Sequence, residues 1–297
     1  MKSKILFLGC NHDEVPYLKN FQEKGFHVVA TDVNPNAPGM SLSDSAIICG
    51  YDDLEGLERA VSKEGRDDFL MVFTASAQFA QIGASHISKH LGLPYPSLEN
   101  IKICLDKAAF YPLFQKNGIH IPETHFIRNL SELRNILNKC PKETDFYLKS
   151  DFSKNPNHIY KGTSEYLENE DIQWTPDRYF HKNYILQKTF LGEGFRLNIY
   201  PGGYELYEFE TGRKINEDLP HFKNLKILES LRDLSIKLGM QDWLLKFDIL
   251  INNGRYVVLD IGMDPPSRMK KYWESKGHNF IDFYTDLYIK SAITTSM

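Results

Sequence analysis

No stretch of this 297-residue chain approaches the roughly 20 consecutive apolar residues of a membrane helix, so a membrane partner is not expected. The apolar run Ile5 to Leu8 gives way to polar and charged residues from Asn11 to Glu14, too soon for a secretory signal. Cysteine is sparse as well. Cys10, Cys49, Cys104 and Cys140 lie far apart, with no C-x-x-C pair and no histidine at metal spacing, which excludes a zinc knuckle and a disulfide framework. A reducing cytoplasm is the expected location. An excess of one charge is also missing: 35 basic and 39 acidic residues are well mixed, for a net charge of −4. Such a chain lacks the field that draws a protein to nucleic acid or anionic lipid, so a small molecule is the expected partner.

Glycine-rich phosphate loops are absent too. A strand, Gly9 and the acid Asp32 at the end of a second strand suggest a dinucleotide-dependent oxidoreductase. However, Gly9-Cys10-Asn11-His12-Asp13-Glu14 lacks the further glycines that admit a pyrophosphate, and its acids would repel one. No Walker loop occurs. His12 could face an acceptor substrate, although a histidine there is more simply exposed to solvent.

What remains is ample apolar material. Hydrophobic residues make up 42% of the chain, enough for roughly two domains with sizeable cores. The first third alternates strand and helix signals. Lys4 to Gly9, Phe26 to Thr31, Ser45 to Cys49 and Phe69 to Thr74 read as strands. Val15 to Lys24, Leu54 to Glu64 and Ala77 to Leu91 read as helices closed by Gly25, Gly65 and Gly92. Helical crossovers imply a parallel sheet with its ligand site at the carboxyl ends of the strands, so the loops after Gly9, Thr31 and Thr74 face the site.

Leu93-Pro94-Tyr95-Pro96 breaks the rhythm and divides residues 1–93 from a second domain, 94–297. There a helical region from Ser97 to Lys116 should be kinked or divided at Pro112. Thr124 to Ile127, Phe146 to Lys149, Tyr184 to Lys188, Phe195 to Tyr200 and Tyr204 to Phe209 read as strands. Ser131 to Lys139 and about Leu225 to Leu238 read as helices, and a terminal hairpin completes the chain. The expected class is α/β overall: a parallel-sheet domain followed by an α+β domain.

That hairpin, Trp243 to Ile261, is the most informative stretch. A two-residue turn on Asn253-Gly254 would put Asp248 and Asp260 on opposite faces, whereas a three-residue loop pairs Ile251 with Arg255. The longer loop gathers Phe247, Ile249, Ile251, Val257, Leu259 and Ile261 on one face, as a half-buried sheet requires. Lys246, Asp248, Leu250, Tyr256, Val258 and Asp260 then share the other. Diagonal neighbours lie within about 8 Å at the backbone, so two short carboxylates could flank one Mg2+, which takes one or two carboxylates plus phosphate oxygens and water. The plainer reading is a solvated face on which Lys246 neutralises two acids.

Together these segments resemble the ATP-grasp superfamily of carboxylate-amine ligases, the group that includes D-alanine:D-alanine ligase, biotin carboxylase and the pyrrolysine-biosynthesis ligase. The resemblance spans nearly the whole chain: Gly25 to Asp32 with Asn34 to Gly39, Gly92-Leu93-Pro94, Asp106-Lys107, and Gly118 to Thr124. It implies a domain preceding the grasp, an ATP-grasp domain, and a lid subdomain at approximately 120–190. It assigns Lys107 and Lys149 to ATP phosphates, with Gln187, Lys188 and Phe190 in the linker whose backbone reads adenine. The ribose-binding glutamate is replaced by Gly194, with Glu193 beside it as a substitute. Asp248 and Asp260 match the Mg2+-binding acids, Lys246 matches a residue that steadies an acyl phosphate, and Asp264 could replace an asparagine ligand whose place is taken by Gly262. The lid loop reads Ser150 to Asn157, without the usual glycines. Arg196, Arg213 and Arg268 are candidate carboxylate or phosphate binders, because a guanidinium fork suits both. Each could equally be an ordinary surface or ion-paired arginine; Arg213, in the turn Thr211 to Lys214, is the best placed.

The expected activity is ATP-dependent ligation: a small-molecule carboxylate is activated as an acyl phosphate and captured by an amine, with ADP and phosphate released. Dimers are frequent among such enzymes, so a homodimer is one candidate assembly, and the sequence leaves the oligomeric state open. The alternative is a nucleotide-binding protein of the same fold without ligase activity, suggested by Gly194, Gly262 and the atypical lid loop.

Overall fold

Apolar residues at consecutive positions, Ile5-Leu6-Phe7-Leu8, commit the first strand to burial on both sides, and the computed structural model shows both sides covered. The structure describes residues 3–76, 78–151, 159–170, 172, 183–215 and 226–295. Strands β1 (Lys4–Leu8), β2 (His27–Asp32), β3 (Ser45–Ile48) and β4 (Phe69–Phe73) form a parallel sheet in the order β3-β2-β1-β4. Helix α1 (Val15–Glu23) lies on one side, and α2 (Leu54–Glu64) and α3 (Ala80–Leu91) on the other. Ile5 and Phe7 join the cluster containing Tyr17 and Phe21, while Leu6 and Leu8 join Leu57, Val61 and Ile87. Caps set the helix limits: Asp53 accepts from Gly56 N at 2.9 Å to start α2, and Gly92 in the left-handed region ends α3.

The next two helices, α4 (Leu98–Leu105) and α5 (Lys107–Lys116), divide at Asp106 rather than at Pro112, which lies within α5. Asp106 adopts an extended conformation and its carboxylate accepts from Ala108 N at 2.8 Å. A fresh N-terminus capped there makes Lys107 the first residue of α5.

Strand β5 (Thr124–Ile127), α6 (Leu130–Leu137), β6 (Asp145–Ser150), β7 (Tyr160–Thr163), α7 (Ser164–Asn169) and β8 (Tyr184–Lys188) build a second sheet, antiparallel, in the order β5-β8-β6-β7. Phe146 and Leu148 pack with Leu133, Leu137 and Leu167 of its helices, so Lys149 turns to the opposite side. Of the expected lid loop, Phe152 to Asn157 lies outside the described residues.

The third sheet, also antiparallel, contains β9 (Glu193–Tyr200), β10 (Gly203–Glu208), β11 (Lys214–Ile215), β12 (Leu245–Asn252) and β13 (Arg255–Gly262), ordered β11-β10-β9-β12-β13. Helix α8 (Ile227–Lys237) contributes Ile227, Leu231 and Leu234 to the core shared with Leu197, Phe247 and Ile249. The β12–β13 hairpin corrects the three-residue loop. Asn252 pairs with Arg255 across a two-residue turn, whose Asn253 and Gly254 both have positive φ, 46° and 75°. A bulge at Leu259 restores the expected parity from Asp260 onward, so Asp248 pairs directly with Asp260, whereas before it Val257 moves to the charged face and Tyr256 and Val258 to the apolar one, opposite to the alternation expected from sequence.

The chain does not finish with this hairpin. Helices α9 (Ser267–Ser275) and α10 (Phe280–Thr295) follow, and α10 packs on α1 and β4 of the first sheet. Phe73 meets Tyr284 and Tyr288 of α10 at ring-centroid distances of 6.0 and 4.7 Å. Buried aromatic pairs of this kind contribute about 0.5–1.5 kcal/mol each beyond area burial. No helix among the described residues is long and apolar enough to cross a membrane.

Candidate nucleotide and substrate site

The pairing register assigns every residue of the third sheet to a face. Asp248 lies opposite Arg196 on one side and Asp260 on the other, while Lys246 lies opposite Asn198 and Gly262. Arg196, Asn198, Lys246, Asp248, Asp260 and Gly262 therefore share one face, and Phe195, Leu197, Phe247, Ile249 and Ile261 share the other.

On the charged face each acid has a cation. Arg196 donates through Nε and Nη2 to the two oxygens of Asp248 at 2.7 and 2.8 Å, a bidentate fork. Lys246 pairs with Asp264, and Lys107 Nζ lies 3.4 Å from Asp260 Oδ2. Lys107 is only 4% exposed. Its position is fixed at both ends of its first helical turn: its own N–H donates to Asp151 O at 2.9 Å, and the Tyr111 hydroxyl donates to Leu259 O at 2.8 Å. Leu259 is the bulge residue, so the hairpin irregularity and the start of α5 are tied together.

Lys149 reaches the same space from β6. Burial, and then repulsion from Lys107, lower its ammonium to about 8, with Asp260 and Asp248 pulling the other way. Burial also lowers Lys246, against the attraction of Asp264. A cavity of about 150 Å3 is lined by Gln78, Arg196, Lys246, Asp248, Asp260, Ile261, Gly262 and Asp264. Three lysines, one arginine and three acids thus gather at the charged face: Lys107, Lys149, Lys246, Arg196, Asp248, Asp260 and Asp264.

A larger groove of about 610 Å3 runs between His120–Glu123, Lys188–Phe190 and the hairpin tip, Gly254–Val257. Val257 pairs with Leu250, on the same face as Asp248, so the groove continues the charged face toward the linker. Gln187 is 3% exposed and donates to Thr124 Oγ1 at 3.0 Å. The N–H groups of Lys188 and Thr189 already donate to Glu123 O and Asp145 O, so readout of a base edge would fall to the remaining linker groups. Glu193 is exposed. A Cβ on Gly194 would lie 2.3 Å from the Phe209 ring, so glycine there admits that ring.

Phe209 was not singled out from sequence, yet it organises two candidates. The guanidinium groups of Arg196 and Arg268 lie 5.8 and 5.1 Å from its ring centroid, and Arg268 donates to its carbonyl at 3.2 and 2.9 Å. Arg213 stands apart. It is 70% exposed, at the β10–β11 turn, beside Glu208 at 3.8 Å, and does not line the acidic cavity. His12 is exposed. Gln78 was also missed, although it sits in the loop after β4, one of those the parallel-sheet rule turns toward the site.

Could a divalent cation be held here? Among the described residues no group of three or more His, Cys, Asp or Glu side chains is disposed to hold one unaided. Two buried acceptors at the cavity, Gln78 Oε1 and Asp264 Oδ1, nevertheless find no hydrogen-bond partner among the described residues. With Asp248 and Asp260 directly opposed, this all-oxygen donor set suits Mg2+ completed by phosphate oxygens and water.

No protein-family model matches the sequence, and no curated protein sequence does. Similarity to solved structures is extensive. An L-amino acid ligase from Bacillus licheniformis matches at 14% identity and a TM-score of 0.72, covering 98% of this chain and 74% of that one. N5-carboxyaminoimidazole ribonucleotide synthetase from Thermotoga maritima matches at 16% identity and 0.71, covering 98% and 76%. N5-carboxyaminoimidazole synthetase from Staphylococcus aureus, complexed with ADP, matches at 10% identity and 0.68, covering 97% and 78%. The chain has the ATP-grasp fold of these synthetases and ligases, as the resemblance implied.

Proposed function

We propose that the protein is an ATP-dependent carboxylate-amine ligase. The observation that carries this reading is the convergence of Lys107 and Lys149 with Asp248 and Asp260, brought from α5, β6 and the β12–β13 hairpin to one place. The ADP in the Staphylococcus aureus synthetase supports a nucleotide here, and the likeness to an L-amino acid ligase supports ligation.

In this reading the two lysines neutralise phosphate oxygens of ATP, and the linker Gln187–Phe190 borders the base. Asp248, Asp260 and Asp264 hold Mg2+, which would offset charge on the γ-phosphate. Arg268 and Arg196, spaced by Phe209, orient the substrate carboxylate. One carboxylate oxygen attacks the γ-phosphorus, the bond to the bridging oxygen breaks, and ADP leaves. An amine then attacks the acyl carbon; phosphate departs and the amine nitrogen loses a proton. Lys246, held by Asp264, balances charge on the acyl phosphate. Such catalysis consists mainly of positioning and charge stabilisation.

A second reading, nucleotide binding without ligation, is favoured by one observation: Asp248, Asp260 and Asp264 each already face a protein cation. ADP release from ATP and Mg2+, measured across a panel of carboxylic acids with and without amines, separates the two. Acid-stimulated release supports the ligase, and nucleotide binding with no release across the panel supports the alternative.

A further inference from the structure

Gln78 is 6% exposed and comes from the loop after β4, in the N-terminal parallel sheet, yet it lines the cavity of the third sheet's acids. Its amide orientation is set. Nε2 donates to Ile261 O at 3.2 Å, which leaves Oε1 without a partner among the described residues. A buried acceptor left unsatisfied costs about 1–3 kcal/mol, so a site that keeps one implies a ligand that completes it. The chemistry narrows that ligand. Asp264 Oδ1 is a second orphan acceptor in the same cavity, and Asp248 and Asp260 flank it. Four oxygen donors around about 150 Å3 fit a small hard cation.

Gly262 is part of the same device. A Cβ there would lie 2.2 Å from Gln78 Nε2 and 3.2 Å from Asp264 Oδ1. The Gln78 amide occupies the space that any side chain at position 262 would take.

We propose that Gln78 Oε1 is an oxygen ligand of the divalent cation, delivered from the parallel sheet, and that Gly262 is side-chain-free to admit it. Cation binding then joins the loop after β4 to the β12–β13 hairpin. This inference rests on the metal-nucleotide reading above.

Mn2+ is the probe, titrated by electron paramagnetic resonance into the full chain with a non-hydrolysable ATP analogue, alongside calorimetry of the analogue itself. Gln78→Leu keeps the bulk and removes the oxygen, and is expected to weaken Mn2+ about tenfold, as loss of a supporting ligand does. Gly262→Ala should weaken it similarly by displacing the amide, and the double variant should be no weaker than either single one. Gln78→Glu restores an oxygen and should bind Mn2+ at least as tightly as the wild type; it carries the test if the leucine variant fails to fold. Wild-type affinity for Mn2+ in a folded Gln78→Leu, or a tenfold loss in Gln78→Glu, overturns the assignment while leaving the functional reading intact. A wild-type chain that binds the analogue without Mn2+ overturns both the assignment and the metal role. One that binds neither overturns the functional reading as well.

Discussion

The two faces of the third sheet use the same strands for opposite purposes. On one, Phe195, Leu197, Phe247, Ile249 and Ile261 are nearly or fully buried, and their contribution is packing. On the other, Arg196, Lys246, Asp248 and Asp260 are partly buried charges, each with a partner of opposite sign. Taking charge out of water costs several kcal/mol per ion, which pairing only partly repays, so this face contributes little to stability, and on the proposed reading its purpose is binding. Changes on the first face should therefore act on folding, and changes on the second on chemistry.

Phe247→Ala breaks the apolar face most severely. A loss of about 3–5 kcal/mol is expected for a fully buried phenylalanine, read as a lowered denaturation midpoint, with activity falling only as the folded fraction falls. Asp248→Asn, its neighbour on the charged face, should do the reverse. ADP release should drop by about two orders of magnitude or more, while circular dichroism stays native and the midpoint shifts less than in Phe247→Ala. Equal activity losses per unit of unfolding in the two variants would erase the distinction.

Lys149 sharpens the comparison through pH. Its ammonium, lowered to about 8, is charged below that value and neutral above it. Affinity of the free protein for ATP should therefore fall as pH rises through about 8, and Lys149→Arg should flatten that limb, since a guanidinium stays charged. Linkage runs the other way for folding: the unfolded lysine, with its ordinary value of 10.5, binds more protons between about 8 and 10.5, so stability rises with pH across that window. The smallest effect is Tyr111→Phe, which removes the hydroxyl bond to the bulge carbonyl of Leu259. About 1 kcal/mol of stability should be lost, with a measurable increase in the KM for ATP as Lys107 loosens.

Much of this was legible in the chain. The strands β1, β2 and β4 and the glycine-closed helices follow from buried runs and caps, and the acids at 248 and 260 follow from the alternation of the hairpin. The turn shows why the rest was not. Asn253-Gly254 asks for two residues, while the apolar alternation asks for the parity of three; the turn prevails up to Val258 and the bulge at Leu259 restores the other parity from Asp260, which no local rule predicts. Pro112 lies within α5 because the break is made six residues earlier by a capping carboxylate. Phe209 and Gln78 belong to the site through contacts across strands or between sheets, which spacing along the chain does not encode. Helix α10 carries clear apolar content, whereas α9 is mostly polar and buries only Met269, so little in the sequence after the hairpin marks α9 as part of the fold.

Helix α10 covers one side of the parallel sheet, more than 200 residues after β4 has been made. During synthesis Tyr17 and Phe73 emerge early and must wait for Tyr284 and Tyr288. Such distant closure slows folding and leaves an adhesive surface bare on a ribosome-bound chain.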